Sequence, residues 1–518
     1  MRGMTALLIA CAALLAWAAV IIATIRLRAR TRAEQDRWGR PDPGLRAKFA
    51  ALVVALVALP VIAVYSAGPL VMCVGGGVDL GVSRRGGECV GVSDGGHHFS
   101  GGFPDGEIGE ETKAGLDRVM DRIKAQNDID GPYVKIAMLF PLTSAFSGPR
   151  VLHKLEGAAA AQQWLNEPGR GSPRIQLWLA HMGSREAQWE SVVDQLIDMK
   201  DDAEPLVAVV GVGLSQDETR NSARKLATAR IPMVADVLTA TNMDAEGPVE
   251  GFHRVAYSND QQYDALFAAA PVKDRDLSRA VVVKSDDETD TYASSAAEAV
   301  AARLPGKPTP IEFGGGGDEG KFGNQFRAIS QSLCGTRDAV VFYAGRSRYL
   351  ANLMQRLDEE GCLDSVLVVS ASDAAVLRMR TTDETTRRNW GVDKARDVVR
   401  KGKVSLYFTA LADPEALRDR PRYQEFLTAF TANGNAADDA YTGWAMMAWD
   451  ALRVAAEWTW MAQNTVDPDL PTAEDVGRAS TLRYSTKDSP FDGATGRFWF
   501  GQNGDRLGDP PTIIRLTG

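Results

Sequence analysis

Histidine is scarce in this chain, with five in 518 residues, at positions 97, 98, 153, 181 and 253. Their scatter sets no imidazole beside a nucleophile, so no acyl-transfer pair can be argued from the sequence. Basic excess is missing as well. Lys and Arg number 58 against 67 Asp and Glu, a formal charge of −9. Nine of the basic and three of the acidic residues fall in the first 73, which leaves the remainder near −15. Such a surface repels phosphate backbones and excludes nucleic acid as a partner. Cysteine is limited to five residues. No segment reads as an ATPase, kinase or permease, so the output of the chain passes through another protein.

What is present begins with two long apolar runs. Residues 6–25 carry no charge and are long enough to span a bilayer. A second run, 49–73, is interrupted only by Pro60, Gly68 and Pro69, which membrane helices tolerate. Between them lie Arg26, Arg28, Arg30, Arg32, Arg37, Arg40, Arg46 and Lys48 against Glu34, Asp36 and Asp42. By the positive-inside rule this loop is cytoplasmic. The expectation is a transmembrane helical hairpin over 1–74, two-pass in the cell membrane, with the large carboxyl-terminal part extracytoplasmic. A signal peptide followed by a core helix is the alternative. Leu8-Ile9-Ala10-Cys11 matches a lipoprotein cleavage box, but the apolar stretch before it is too short for a working signal.

Cys11 sits inside the first run. The other four, Cys73, Cys89, Cys334 and Cys362, fall on the expected outside, an even number in an oxidising compartment. Cys334 precedes the strand-like DAVVFYAG and Cys362 follows the helical RYLANLMQRLDEEG. A strand of that length climbs roughly 23 Å and the helix returns roughly 21 Å, so both ends meet on one side of a sheet. A Cys334–Cys362 disulfide would contribute about 3–4 kcal/mol by chain entropy. Cys73 with Cys89 would pin the loop after the membrane. Zinc is the other use such thiols have.

Beyond 132 the pattern alternates. Short buried-strand runs (VKIAMLF, RIQLWLA, LVAVVG, VLVVS) separate amphipathic helical stretches, the signature of parallel-sheet α/β architecture. Residues 75–132 are glycine-rich and end in a charged amphipathic helix, and read as a stalk and a lead-in helix. Pro205 to Asn242 is the most telling stretch. Val209-Val210-Gly211 ends a strand, Ser215 reads as the N-cap of a helix that carries Thr219, and Ile231-Pro232 opens a second strand followed by Thr239 and Thr241. Two hydroxyl-bearing loops then leave neighbouring strands at one sheet edge, where open α/β sheets bind ligands.

This order of residues resembles the type I periplasmic-binding-protein family, whose members serve branched-chain amino acid transporters. Cys89 to Gly95 also resembles a run that precedes the binding fold in membrane-bound actinobacterial relatives. The resemblance covers Tyr133 to Gly518. It implies a two-lobed type I periplasmic-binding fold after the two transmembrane helices: lobe 1 from 133–257 plus about 403–482, lobe 2 from 258–402 plus about 483–518. It implies an interlobe cleft in which Ser215 and Thr239 hold a ligand carboxylate. Ser144 lines that cleft, Tyr292 supplies an aromatic face, and Asp373 pairs with the ligand ammonium. Arg346, after Tyr343-Ala344-Gly345, is expected to enter the cleft and to favour an acidic ligand. Leu238 departs from the family, which has a small residue there.

Several motifs are decoys. Gly315 to Lys321 has phosphate-loop spacing, but Phe322 stands where the Mg²⁺-binding hydroxyl belongs, and Asp318 and Glu319 oppose a phosphate. Gly213-Leu214-Ser215 lacks the second glycine of a nucleophile elbow, because Asp217 occupies that position. His97 and His98 beside Asp94 read as a solvated loop, and no metal and no cofactor are expected. The stripe of Trp444, Met446, Met447, Trp449, Trp458 and Trp460 reads as core packing. The Asn503-Gly504 pair marks a β-hairpin turn. The functional expectation is a non-enzymatic, membrane-anchored solute-binding protein for a small amino acid-like or carboxylate ligand. It would work with an ABC permease or a membrane signalling partner. An extracytoplasmic α/β hydrolase and a ligand-free structural ectodomain are the alternatives.

Overall fold

The computed structural model describes residues 17, 20–30, 73 and 79–518, apart from 129, 145, 245, 246, 315–318, 467 and 468. The chain divides into two compact units, Met1–Cys89 and Val90–Gly518. In the first, 20–30 is helical and β1 covers Val82–Arg85. Cys73 and Cys89 are disulfide-bonded with Cα atoms 5.6 Å apart, as expected. The spans 6–25 and 49–73 lie outside the described residues, save 17, 20–25 and 73, and so does the box around Cys11. Among the described residues no helix is long and apolar enough to cross a membrane.

The second unit is built on two sheets. The first runs β2 (Glu88–Ser93, in this unit from Val90), β4 (Arg174–His181), β3 (Tyr133–Leu139), β5 (Leu206–Gly211), β6 (Met233–Ala235) and β7 (Phe252–Arg254), parallel except for β2. The second runs β16 (Thr512–Arg515), β12 (Val404–Ala410), β11 (Val366–Ser370), β10 (Ala339–Ala344), β8 (Val281–Ser285) and β9 (Ile311–Phe313), with β16 antiparallel at one edge. Every residue of β5 and of β11 is buried. Their unbroken Val and Leu runs are what a strand needs when helices cover both faces.

Six helices position the site: α1 (Glu110–Asn127), α2 (Arg150–Leu165), α3 (Asp217–Thr228), α4 (Thr291–Arg303), α5 (Ser347–Glu359) and α6 (Trp444–Val466). The Ala-rich middle of α2 presses directly on the backbone of α6. A Cβ on Gly157 would lie 2.0 Å from the Ala445 carbonyl oxygen, so only glycine fits there. Most of the stripe on α6 is core, as expected: Met446, Met447, Trp449 and Trp458 are fully buried, whereas Trp460 is half-buried at the edge and donates to the Pro173 carbonyl. Trp444 is an exception with a second task, described below. Cys334 and Cys362 are bonded, Cα atoms 5.3 Å apart, which ties the end of the helix Glu319–Ser332 to the turn after α5. Both pairs therefore use their thiols in disulfides rather than on zinc.

Three placements differ from the sequence reading. The strand at Val404–Ala410 was expected where the chain re-enters the first lobe at about 403. Instead it pairs with β11, Val366 facing Val404, and the chain leaves the second sheet only after Ala410. A strand's hydrophobicity does not say which sheet it joins; its pairing partner does. The segment 483–518 is likewise split. β13 (Phe491–Gly493), β14 (Gly496–Phe500) and β15 (Arg506–Gly508) form a small sheet of their own. It packs on the first lobe: the Gly504 carbonyl accepts from Arg254 N–H at 2.9 Å, and the Phe500 ring meets His253 edge-on and Trp458 at a tilt. Only β16 crosses to the second sheet. Finally, α1 is part of the folded body rather than of a stalk. Asn127 at its end bonds both the N–H and the carbonyl of Leu177 in β4. At its start, Thr112 Oγ1 donates to Asp383 Oδ2 at 2.8 Å, and Asp383 caps a helix of the second lobe. The loop 315–318 that carries the phosphate-loop spacing lies outside the described residues.

Candidate functional site

The carboxyl end of β5 runs into a left-handed loop. Gly211, Val212, Gly213 and Ser215 have φ of 88°, 52°, 76° and 61°. A β-branched residue in this region is strained and persists only where its surroundings enforce it. Here they do. Thr219 on α3 donates to the buried Glu186 carboxylate at 2.6 Å, and its hydroxyl accepts from the N–H groups of Leu214 and Gln216. Glycine is required at 213, because a Cβ would sit 2.4 Å from Thr219 Oγ1. Helix α3 thus starts one residue later than expected: Gln216, not Ser215, is its N-cap.

Freed from capping, Ser215 faces the neighbouring loop. Its Oγ accepts from the N–H groups of Thr239 and Ala240 at 3.3 and 3.4 Å, which leaves its own proton to donate. Leu238 turns the other way, into the hydrophobic core of the first lobe, so its bulk does not narrow the crevice. Beneath both loops lies the fully buried pair Lys154–Asp236, at 2.9 Å, with the ammonium 3.3 Å above the Phe140 ring.

The second lobe answers with charge. After β10, Arg346 makes a two-pronged ion pair with Asp290, Nε to Oδ2 at 2.9 Å and Nη2 to Oδ1 at 2.8 Å. The same Nη2 reaches across to the Leu214 carbonyl at 2.9 Å. After β11, Asp373 accepts from Ser347 N–H at 2.6 Å and from Arg150 Nη1 at 3.0 Å. Arg150 belongs to the first lobe and lies over the rings of Trp444 and Trp390. Burial alone would raise the Asp373 carboxyl, but Arg150, Arg346 and the Ser347 N–H outweigh it and hold the group below its usual range. Tyr292 lies under the Arg346 guanidinium, its N–H donates to the Ser215 carbonyl at 3.3 Å, and its hydroxyl is buried without a partner.

Of the six expected ligand residues, Ser215, Thr239, Tyr292, Arg346 and Asp373 line one crevice, together with Ser372 and Trp444. Ser144 does not. Its hydroxyl accepts from Phe146 N–H at 3.1 Å, and that loop serves the site through Phe146, whose ring faces Arg346, and through Arg150. Arg346 is neutralised by Asp290, so its charge gives no bias toward an acidic ligand. Arg150 and Asp290 were not foreseen. The signal for Arg150 was an arginine heading an Ala- and Leu-rich helix, which reads equally well as a solvated end.

The crevice encloses about 20 Å³, room for little more than one water. Larger hollows lie elsewhere, two of them above 600 Å³. One of about 830 Å³ borders β7 and the 501–505 loop. Another of about 650 Å³ is rimmed by Arg378, Arg380 and Arg396. Neither gathers the ends of both sheets, and convergence of independent elements outweighs volume here. No histidine, cysteine or lysine lines the crevice among the described residues.

No family model matches the chain, and none of the curated proteins does. The fold is shared with solved binding proteins. An extracellular ligand-binding receptor of Rhodopseudomonas palustris aligns with a TM-score of 0.55 at 12% identity, over 74% of this chain and 97% of its own. An ABC transporter substrate-binding protein from Sphaerobacter thermophilus gives 0.54 at 17%, over 74% and 97%. A branched-chain amino acid transporter substrate-binding protein of Streptococcus pneumoniae, solved with isoleucine, gives 0.53 at 15%, over 74% and 96%. The shared architecture is the two-lobed type I periplasmic-binding fold.

Proposed function

We propose that this chain is a membrane-anchored extracytoplasmic solute-binding protein that captures a small amino acid-like ligand between its lobes without transforming it. The observation that carries this reading is the meeting of hydroxyls from the ends of β5 and β6 with charged groups from the ends of β10 and β11. Ser215 and Thr239 would offer donors to a carboxylate, Asp373 would face an ammonium, and Tyr292 would supply an aromatic wall with an unused phenol. The two charged groups of the lining, Arg346 and Asp373, are each paired with a partner outside it, Asp290 and Arg150. A balanced lining suits a zwitterion, which brings no net charge into a dry site.

Admission requires hinge motion, since the crevice as it stands is smaller than any amino acid. Release of the Arg346–Leu214 and Arg150–Asp373 contacts would open it. A permease or signalling partner in the membrane would read the closed form. Such delivery fits the company this fold keeps: binding proteins of transporters.

In a thermal-shift screen of the full chain in detergent against amino acids and small carboxylates, one ligand should stabilise. At a hundred times its dissociation constant it adds about 2.7 kcal/mol. Ser215→Ala should then weaken that ligand by about 1.5–3 kcal/mol, the usual value of a hydrogen bond to a charged group. A flat screen across all of them would sink the proposal. The anchor is tested separately: the chain should stay in membranes washed at alkaline pH, and protease added outside intact cells should reach its second unit. Recovery in the wash supernatant would refute it.

A further inference from the structure

Away from the crevice, three side chains of the first lobe point at one spot. His153, Glu156 and Asp439 each present a ligand atom, and these atoms lie within 4.8 Å of one another. His153 and Glu156 are three apart on α2 and so share a face. Asp439 comes from the 3₁₀ helix Ala437–Thr442. We propose that this cluster is a binding site for a first-row divalent cation of the zinc class, held by one imidazole and two carboxylates.

Each ligand is already oriented. His153 Nδ1 lies 3.1 Å from Thr442 Oγ1, and Nε2 faces Asp439 Oδ1 at 3.7 Å. An imidazole whose second nitrogen is held by a hydroxyl has its ring plane fixed, the arrangement that outer partners give to metal-bound histidines. Asp439 Oδ2 accepts from Ala436 N–H, so Oδ1 is the oxygen left for the ion. Glu156 supplies the independent sign. Its side chain is 6% exposed, yet Oε2 has no hydrogen-bond partner. A buried carboxylate oxygen left alone is costly, and a cation is the partner that would satisfy it. Arg122 and Arg118 act on Glu156 through charge without a hydrogen bond to Oε2, and the terminal nitrogens of Arg122 donate instead to the Asn433 carbonyl and Asn435 Oδ1.

The donor set selects the ion. An imidazole nitrogen is foreign to the all-oxygen shells of Ca²⁺ and Mg²⁺ and native to zinc and its neighbours. Tetrahedral ligation at ~2.1 Å places donors roughly 3.4 Å apart, within reach of small carboxylate rotations from the present spacing. Three protein ligands leave a fourth position for water, and the part-exposed Asp439 gives the ion a way in. The ion would clip α2 to the 3₁₀ turn one helical turn beyond Arg150, and thereby steady the arm that reaches Asp373.

The test uses the untagged full chain, stripped with chelator and then dialysed against Zn²⁺ alone. One ion per chain should be retained, with an upward shift of the melting temperature. His153→Asn and the near-isosteric Glu156→Gln should each weaken retention by no less than the about tenfold that loss of a mere outer partner costs. His97→Gln with His98→Gln should leave retention unchanged. A wild-type chain that takes up no Zn²⁺ overturns the proposal by itself, whatever the variants do. So does uptake that survives both His153→Asn and Glu156→Gln.

Discussion

Lys154→Met should destabilise the protein by about 3–5 kcal/mol, read as a lowered urea midpoint at unchanged slope. The pair it breaks is completely buried, at 0% exposure for both side chains. Removing the ammonium leaves Asp236 in a dry site where Oδ2 already has no partner and Oδ1 keeps only the Val237 N–H. That asymmetry sets the size of the effect: an intact buried pair contributes little net stability, whereas a half-broken one is a stranded charge. The double variant Lys154→Met with Asp236→Leu should therefore recover most of the loss. A single variant within about 1 kcal/mol of wild type would contradict this account. The consequence reaches the crevice. Asp236 ends β6, and Lys154 Nζ lies where a Cβ on Gly211 would touch it at 3.2 Å, so the pair props both hydroxyl-bearing loops from below.

The second large effect is a pH dependence centred on Glu186. This residue is fully buried, and burial pushes its carboxyl up to about 7, aided by Glu218 and opposed by the Thr219 hydrogen bond. In the unfolded chain it titrates in the ordinary carboxyl range. Between those two values the folded state holds a proton that the unfolded state has released. Stability contributed by the neutral form is thus intact below the unfolded value and is lost as pH rises toward 7. At about 1.36 kcal/mol per unit the full loss is about 3 kcal/mol. Glu186→Gln keeps the shape without the proton. Its stability should match wild type near pH 4 and exceed it by about 3 kcal/mol above pH 7.5. His181 and His253, lowered by burial to about 3 and about 4, act in the opposite sense as pH falls, but equally in both proteins. A gap that does not change with pH would show that Glu186 is ionised in the fold.

Much of the architecture was legible because parallel strands covered on both faces must be apolar throughout. Leu206–Gly211 and Val366–Ser370 stood out on that ground alone. Ser215, Thr239, Arg346 and Asp373 follow strand ends, which share an edge within each sheet; that the two edges face one crevice, and that Tyr292 joins them, came from the family resemblance. What the sequence could not carry was pairing across distance. Arg150 and Asp373 are 223 residues apart, and nothing near either names the other. Ser215 was assigned to the helix it precedes, since a serine before a helix caps it by default; the positive φ that frees it is enforced by Thr219 and Glu186. β12 joins the second sheet because it pairs with β11, and no residue within the strand names that partner. The reading against a metal rests on His97 and His98 in a glycine-rich loop; His153 meets Asp439 only because α2 and the segment 437–442 are brought together by folding.

The last strand, β16, seals the open edge of β12 with residues 512–515. Until the ribosome has released that stretch, the second sheet ends in an unpaired row of peptide groups while its apolar faces are already made. A chaperone that shields exposed strand edges would act on this chain before residues 512–515 pair with β12 rather than after.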